Sequence, residues 1–545
     1  MKKIAILVFF TVGFFVHVWA CTGLIAGKQA TVDGSVLVTY SADSHTLYGA
    51  LTSSPAADWP KGSMRSIVEW DTNKPLGEIE QVEHTYAVMG NMNEHQLTVV
   101  ESTWGGRPEL VDTTGIIDYG SLMQLALERA KTAREAIKVM TGLVKKYGYY
   151  SSGESFTIAD PNEAWILDLI GKGPGRRGAV WVAVRIPDDC IAGHANYPRI
   201  HKIPMDDKEN CLYSPDVISF AREMGYFDGL NFSFARAYSP ADFGALRACD
   251  ARVWSFFRKY DSTMDNYLPY VNGESAEPFP LYVKPSRKLS VQDMKEAMRD
   301  HFEDTPFDMT QDVGAGPFKV PYRFRPMSFE VDGKSYCMER AIATQQTGFT
   351  LVGQMRNWLP DPVGGVLWFG VDDANTCVYI PMYCGITQVP ECFSPENGSM
   401  YDFSWTSAFW IHNWVANMAY ARYEPMIGDI RKVQSAVETS LNLRQPAVDK
   451  AAVELYATSP QEAIAYLTQY SCDAAEASTA RWKKLGEYLM VKFLDGNVKQ
   501  EENGKFKDNG YGLPDSPLFP GYSQEYYEEI VRQTGDRFLE TPPKY

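Results

Sequence analysis

Cys21 is the residue with the clearest chemical potential, because the sequence predicts a secretory cleavage site directly before it. Lys2 and Lys3 form a positive start, residues 4–15 are apolar, and Ala20 ends a small-residue cleavage signal. We expect cleavage after Ala20, which leaves Cys21 first in the chain with its thiol beside a free α-amine. In peptides an α-amine has a pKa of about 7.7–8.0 and a thiol about 8.5, so the amine can accept the thiol proton. One residue then supplies both a nucleophile and its base.

Two other interpretations of Cys21 stay open. Cysteines of exported proteins are usually buried or paired in disulfides and have no catalytic role. A cysteine at the first mature position can also carry a lipid anchor, although Val18 and Trp19 fit a lipoprotein signal poorly. From its position alone, a catalytic role for Cys21 is therefore about as well supported as the two other interpretations taken together.

Composition excludes several classes of protein. The chain has 545 residues, a formal charge of −16 and 45% hydrophobic residues, which suits a large globular enzyme with a second region appended to its main domain. The negative charge argues against nucleic acid as a partner. No segment after residue 15 is long and apolar enough for a membrane helix, so we expect no integral membrane segment after leader removal.

Metal and cofactor chemistry is not indicated by the sequence. The nine cysteines contain no CxxC pair and the eight histidines no HExxH pattern, so we expect no metal and no cofactor. The eight cysteines other than Cys21 can form disulfides or stay buried as thiols, and Cys384 and Cys392 are close neighbours in sequence. We expect four histidines to be structural rather than ligands: His45, His84, His95 and His194.

The elements that position Cys21 are predicted to be strands. Residues 22–26 and 36–40 flank the turn signal Asp33-Gly34 and predict a hairpin that begins at the cysteine. Residues 86–90 and 97–101 predict a second hairpin. Helical spacing follows at 122–129 and 133–147, where Thr132 and Glu135 have the pattern of a capping box. Strands return at 155–159, 164–169 and 180–185.

From about residue 403 the pattern becomes helical, over 433–443, 446–456, 460–470 and 474–494, and residues 500–520 are polar and irregular. The order of strands and helices favours an α+β fold, with two sheets between helical layers in an αββα sandwich. Other α+β sandwiches stay open on periodicity alone. The predicted divisions are a signal peptide (1–20), a catalytic domain (21–395) and a mainly helical C-terminal region with a polar tail (396–545).

Short motifs recur in order between residue 21 and about residue 395, and together they resemble the C69 family of dipeptidases, within the choloylglycine-hydrolase-like superfamily of N-terminal nucleophile hydrolases. The motifs include Cys21-Thr22, Asp33-Gly34-Ser35, Asn93-Glu94-His95-Gln96, Gly153-Glu154-Ser155-Phe156, His194-Ala195-Asn196, the run from Tyr238 to Arg252, and Trp358-Leu359-Pro360-Asp361-Pro362. The resemblance implies hydrolysis of short peptides through a thioester on Cys21, without a metal.

The resemblance also implies roles for residues far from Cys21. Asn196 is the expected donor to the carbonyl oxygen that becomes negative during the reaction, and Thr103 is expected to contribute to the same oxyanion site. Asp43 is expected to hold the α-amine of Cys21. Arg340 is expected to bind a substrate carboxylate through its guanidinium.

Each of these residues also has a structural interpretation that stays open. Asn196 suits a turn, Asp43 a surface turn and Thr103 a strand end, while Arg340 suits an ion pair with its neighbour Glu339.

Tyr40 departs from the family pattern. Family members commonly carry an arginine at the corresponding position, within Val38-Thr39-Tyr40-Ser41-Ala42-Asp43. A tyrosine donates one hydrogen bond but carries no fixed positive charge. If the family arginine tunes the thiol or orients substrate, Tyr40 must do so differently, and we place it among the substrate-binding residues.

The function that these residues favour is an exported dipeptidase, periplasmic or extracellular, acting on dipeptides or short peptides. One alternative is an N-acyl amide hydrolase of the bile-salt or penicillin acylase type, and another is a non-catalytic surface lipoprotein. No internal cysteine carries a papain-like signature. Whether the protein is a homo-oligomer is left open.

Overall fold

Two antiparallel sheets form the centre of the protein in a computed structural model that describes residues 21–542. Sheet A has seven strands, in spatial order Tyr282–Val283, Ile191–His194, Thr22–Ala26, Val36–Asp43, Thr347–Met355, Val366–Val371 and Ile380–Tyr383. Sheet B has eight, in the order Cys211–Tyr213, Ala179–Ile186, Ala164–Gly171, Gly153–Ala159, Thr98–Trp104, Met92–Asn93, Val88–Met89 and Ser53–Ser54.

Smaller elements surround the sheets. Two-stranded ribbons pair Ala57–Asp58 with His84–Thr85, Met64–Val68 with Pro75–Glu80, Ser328–Val331 with Lys334–Cys337, and Glu501–Glu502 with Lys505–Phe506. The α-helices are Tyr119–Arg129, Ala133–Tyr147, Val217–Glu223, Phe234–Tyr238, Ala251–Arg258, Leu268–Val271, Val291–Ala297, Asp361–Gly364, Ala408–Ala421, Tyr423–Thr458, Pro460–Lys492 and Gln524–Thr534.

Helices pack against both sheets. Helices Tyr119–Arg129 and Ala133–Tyr147 share a core with sheet B, in which Leu122 and Ile137 join Val99 and Ile158. A second core holds side chains of both sheets together with apolar residues of the three long helices between Ala408 and Lys492. The mixed helix and sheet composition confirms the predicted α+β class.

The hairpin that begins at Cys21 is confirmed. Its first strand is Thr22–Ala26, and its second strand, Val36–Asp43, runs three residues further than predicted. The turn forms where expected, because Asp33 Oδ1 accepts hydrogen bonds from the Ser35 N–H (3.0 Å) and hydroxyl (2.6 Å), and Gly34 adopts a φ of 86°.

The second predicted hairpin is wrong in its pairing. Thr98–Trp104 pairs with Met92–Asn93, and Met92–Asn93 turns back at Gly90 onto Val88–Met89. The reason lies in the Asn93 side chain, whose Oδ1 accepts from the N–H groups of His95 (3.0 Å) and Leu97 (3.1 Å). This side-chain turn ends the strand before a long hairpin can form.

The predicted helices are present, with two corrections. Thr132 Oγ1 accepts from the Glu135 N–H at 3.3 Å as expected, but the Glu135 carboxylate accepts from the Lys131 N–H (2.9 Å), so the capping box is incomplete. The predicted breaks between the C-terminal helices are also wrong, since one helix runs from Tyr423 to Thr458 through Pro446 and the next runs unbroken from Pro460 to Lys492. Interior proline costs a helix about 3 kcal/mol, and the buried Leu441 and Val448 on either side offset this cost by packing.

Some predictions concern features that the fold does not decide. The predicted signal peptide lies outside residues 21–542, and the boundary at 395/396 stays a prediction. Within the described range, none of the helices combines the length and apolar character needed to span a membrane. All nine cysteines fall in this range and each is a free thiol, which decides the open question about Cys384 and Cys392 in favour of thiols.

Candidate active site

Cys21 lies in the wall of a cavity of about 360 Å³, a volume typical of small-ligand pockets. Cys21 directly precedes the strand Thr22–Ala26 of sheet A, and it is 5% exposed. The cavity wall is mainly apolar, with Leu47, Leu51, Met123, Leu127, Phe349 and Phe369, and its charged residues are Asp43, Asp71 and Glu101. In the described part of the chain, no lysine, arginine or histidine lines it.

Tyr40 lies between the thiol and a carboxylate. The pairing of Gly23 with Tyr40 brings the tyrosine beside the start of the neighbouring strand, and its Oη contacts Cys21 Sγ at 3.7 Å. The same hydroxyl donates a short hydrogen bond to Glu101 Oε1. Tyr40 therefore connects the two sheets at the cavity wall.

The surroundings disfavour a thiolate on Cys21. Burial and the charges of Glu101 and Asp43 raise the pKa of the thiol well above its usual range, while a hydrogen bond from the Asp43 N–H opposes the shift. The thiol therefore stays neutral until a base accepts its proton. A cation close to the sulfur would be stabilised by the same two carboxylates.

Asp43 is buried at the end of its strand, so the surface-turn interpretation is wrong. It is 1% exposed, forms an ion pair with Arg340, and accepts from the hydroxyls of Thr347 (2.6 Å) and Ser41 (3.0 Å). These contacts hold its carboxylate next to the start of the chain's first strand.

Arg340 does not line the Cys21 cavity. It lines a smaller one of about 140 Å³ and reaches Asp43 from there. The alternative pairing with Glu339 is wrong, because Glu339 pairs with Arg247 at 3.1 Å. The arrangement makes Arg340 a partner of Asp43, and its predicted contact with substrate stays a prediction.

Asn196 and Thr103 are brought together by a side-chain hydrogen bond. Asn196 has a φ of 57°, and its Nδ2 donates to the Thr103 carbonyl at 2.6 Å. Thr103 lines the cavity and donates to Glu101 Oε2 at 3.5 Å. One N–H of the Asn196 amide is thus committed to Thr103, so only the second is left for a substrate oxygen. The oxyanion role of both residues stays a prediction.

His194 fixes the strand end that carries Asn196. Its ring bonds to Ser102 Oγ (2.6 Å) and Thr157 Oγ1 (2.8 Å) of sheet B. Burial lowers its pKa to about 3, so the ring is neutral and structural, as predicted. Gly23 is required beside it, because a Cβ there would lie 2.9 Å from the ring.

Arg252 is a site residue that the sequence analysis did not single out. Its guanidinium donates to the Cys21 carbonyl (2.7 Å), Thr22 Oγ1 (2.7 Å), the Ala195 carbonyl (3.1 Å) and Asn196 Oδ1 (2.7 Å). Burial and the charge of Arg340 lower its pKa to about 10, so it is cationic at neutral pH. It joins the Cys21 backbone to Asn196. Arg252 ends the motif from Tyr238 to Arg252 that contributes to the family resemblance, but this motif does not predict the contacts of Arg252 with Cys21 and Asn196.

Glu101 was missed as well, and the only signal in the sequence was its place at the end of a predicted strand. It is 1% exposed and accepts from both Tyr40 and Thr103. Like Arg252, it therefore bonds to two of the predicted site residues.

Comparison with known proteins defines the class to which this site belongs. Residues 20–436 match the sequence profile of Peptidase family C69. Since the match covers most of the chain, the protein belongs to this family. It is a peptidase.

Curated relatives agree with this assignment. A probable dipeptidase of Latilactobacillus sakei is 25% identical over 486 residues, covering 84% of this chain and 92% of the relative. A probable dipeptidase of Salmonella dublin is 27% identical over 396 residues, covering 67% and 81%. Dipeptidase A of Lactobacillus helveticus is 25% identical over 428 residues, covering 74% and 82%. Each alignment covers at least two thirds of this chain and more than four fifths of the relative. The names of these relatives support a dipeptidase.

Proposed function

We propose that this protein is an exported dipeptidase whose nucleophile is Cys21, freed as the first residue by cleavage after Ala20. The observation that carries the proposal is the position of Cys21 in the wall of the 360 Å³ cavity, at the start of the segment that matches the family. A free α-amine at this residue would stand beside its own thiol.

In the proposed reaction the α-amine of Cys21 accepts the thiol proton, and the thiolate attacks the carbonyl carbon of the peptide bond. The ammonium then gives its proton to the leaving amine, which departs as the C–N bond breaks and a thioester forms. Water, deprotonated by the same amine, attacks the thioester and releases the acid and the thiol. The ammonium forms beside Asp43 and Glu101, whose charges stabilise a cation there.

The residues around Cys21 suit this chemistry. Arg252 holds the Cys21 carbonyl and the Asn196 amide in one hydrogen-bonded unit. The second N–H of Asn196 is the group we assign to the oxyanion, with Thr103 beside it. We infer further that the helix-covered pair of sheets is the αββα sandwich of N-terminal nucleophile hydrolases.

The alternative functions fit less well. A bile-salt hydrolase acts on anionic amides. Within residues 21–542 the cavity is lined by three carboxylates and no basic side chain, and this lining repels such substrates. A lipoprotein with an acylated α-amine at Cys21 has no free amine to act as a base. The acidic cavity is compatible with a substrate that carries an ammonium group.

The test is a comparison of two forms that differ by one residue. One begins at Cys21 and the other retains Ala20, and intact mass confirms each terminus. We expect dipeptide hydrolysis only from the first, because retaining Ala20 turns the base into an amide nitrogen that accepts no proton near neutral pH. Comparable turnover by both forms would mean that another group is the base. N-terminal sequencing of the exported protein tests the cleavage site itself.

A further inference from the structure

Glu101 carries a charge that the described protein does not neutralise. Its carboxylate is buried in the cavity wall, and its hydrogen bonds come from the neutral side chains of Tyr40 and Thr103. Among residues 21–542 it forms no ion pair within 4.0 Å, whereas Asp43 has Arg340. A buried carboxylate without a cation is costly. In the proposed reaction the α-amine of Cys21 is a cation only while it holds a proton, so a substrate cation can offset this cost when the amine is neutral.

Glu154 strengthens this conclusion from the neighbouring strand. It stands opposite Thr103 in the register of sheet B and is completely buried. Within the described range, neither carboxyl oxygen of Glu154 has a hydrogen-bond partner of good geometry. The polar groups nearest to Glu154 are the Glu101 carboxylate and the Thr103 hydroxyl, and that hydroxyl donates to Glu101. Burial and the charge of Glu101 raise the pKa of Glu154 well above its usual range. A negative charge on Glu154 is therefore disfavoured beside Glu101.

The distance from the sulfur to Glu101 matches a peptide's amino terminus. Tyr40 Oη lies 3.7 Å from Cys21 Sγ and bonds directly to Glu101, so the carboxylate oxygen is at most about 6.5 Å from the sulfur. A carbonyl carbon poised for attack lies about 3–3.5 Å from the nucleophile. The α-nitrogen of the same residue is about 2.5 Å from that carbon. An α-ammonium therefore falls within about 6 Å of the sulfur and can reach Glu101.

We propose that Glu101 binds the α-ammonium group of the substrate's first residue, so that the cavity selects peptides with a free amino terminus at the scissile residue. The proposal rests on the proposed function, because it takes Cys21 as the attacking group. It assigns the specificity of the cavity to a residue that also positions Tyr40.

The experiment compares two substrates that differ only in the amino group, Ala-Ala and propionyl-Ala. We expect the wild-type protein to favour Ala-Ala in kcat/KM by about 10- to 100-fold, the range for one hydrogen bond to a charged group. Glu101→Gln should reduce this preference to a few-fold. Since both substrates use the same nucleophile, a change in thiol reactivity caused by the substitution cancels in the ratio.

Asp71→Asn is the matched control, because Asp71 also lines the cavity but is exposed and bonds to Tyr119. We expect its ratio to equal that of the wild type. A wild-type protein that hydrolyses both substrates equally well overturns the proposal, and this measurement needs no variant. An unchanged ratio in Glu101→Gln, or a ratio lost only in Asp71→Asn, overturns it as well. Hydrolysis that survives alkylation of Cys21 refutes the proposed function instead, which separates the two failures.

Discussion

Replacing Tyr40 by phenylalanine removes one hydroxyl from the cavity wall, and we expect this change to reduce both stability and rate. The hydroxyl donates to Glu101 in a place where Tyr40 is only 4% exposed, so water cannot easily take its role. A hydrogen bond to a charged group contributes about 1.5–3 kcal/mol. The free energy of unfolding should fall by about that amount, measured by urea denaturation.

The rate should fall because Tyr40 opposes the effect of Glu101 on the thiol. Burial and the charge of Glu101 raise the pKa of Cys21, and the hydroxyl proton that Tyr40 donates to Glu101 partly compensates that charge. Without the hydroxyl the charge of Glu101 is no longer partly compensated, so the pH dependence of alkylation by iodoacetamide should move to higher pH. If the loss is about 1.4–2.8 kcal/mol, kcat/KM for a dipeptide should fall about 10- to 100-fold.

Tyr119→Phe provides the control for this substitution. Tyr119 lines the same cavity and donates to Asp71 at 2.8 Å, but no hydrogen bond joins it to Cys21 among the described residues. Because Asp71 is exposed, we expect a smaller loss of stability than in Tyr40→Phe, with little change in alkylation. The reasoning is refuted if Tyr40→Phe alkylates with the wild-type pH profile, or if both variants slow alkylation equally.

Four further predictions follow from the site and its supports. Cys21→Ala should abolish dipeptide hydrolysis with an unchanged circular dichroism spectrum, and Cys21→Ser should leave a trace; full activity in the alanine variant excludes the mechanism. Activity should survive EDTA and be lost to iodoacetamide, because a thiolate needs no Lewis acid; loss to EDTA that zinc reverses contradicts this. Tyr40→Arg should weaken the preference for Ala-Ala over propionyl-Ala, since the arginine would pair with Glu101; an undiminished preference argues against that pairing. Burial raises the pKa of Asp168 from 3.8 to about 6, so the native protein binds a proton there more tightly than the unfolded chain does. The stability of the wild type relative to Asp168→Asn should therefore fall by up to about 3 kcal/mol as the pH rises from 4 to 7. Urea-denaturation profiles that stay parallel for the two proteins over this pH range would exclude this.

The strands next to Cys21 were predictable because their signals are local. The Asp33-Gly34 turn and the apolar runs beside it determine the hairpin, and the helix Ala133–Tyr147 has the predicted ends. The second hairpin failed because the side chain of Asn93 forms the turn, and periodicity does not report such a bond. Pro446 failed as a break because packing along a 36-residue helix outweighs one lost hydrogen bond.

The site was predictable only where the resemblance supplied a motif. Arg252 bonds to Cys21 across 231 positions of sequence, and Tyr40 reaches Glu101 across 61. No local pattern predicts contacts of this range, because they depend on how sheet A meets sheet B. The resemblance identified Asp43 and Arg340 as important, but their mutual ion pair is visible only in three dimensions.

The charge on Glu101 gives a physical reason for a tyrosine, rather than an arginine, at position 40. An arginine at this position would lie within reach of the Glu101 carboxylate and cancel its charge, which would leave no anion for a substrate ammonium. Tyrosine donates one hydrogen bond and leaves the negative charge in place. The charge raises the pKa of the Cys21 thiol, and this cost is offset when a substrate brings its own cation into the cavity. Binding of a free amino terminus would therefore make the thiol easier to ionise, so the same contact that selects the substrate would also prepare the nucleophile.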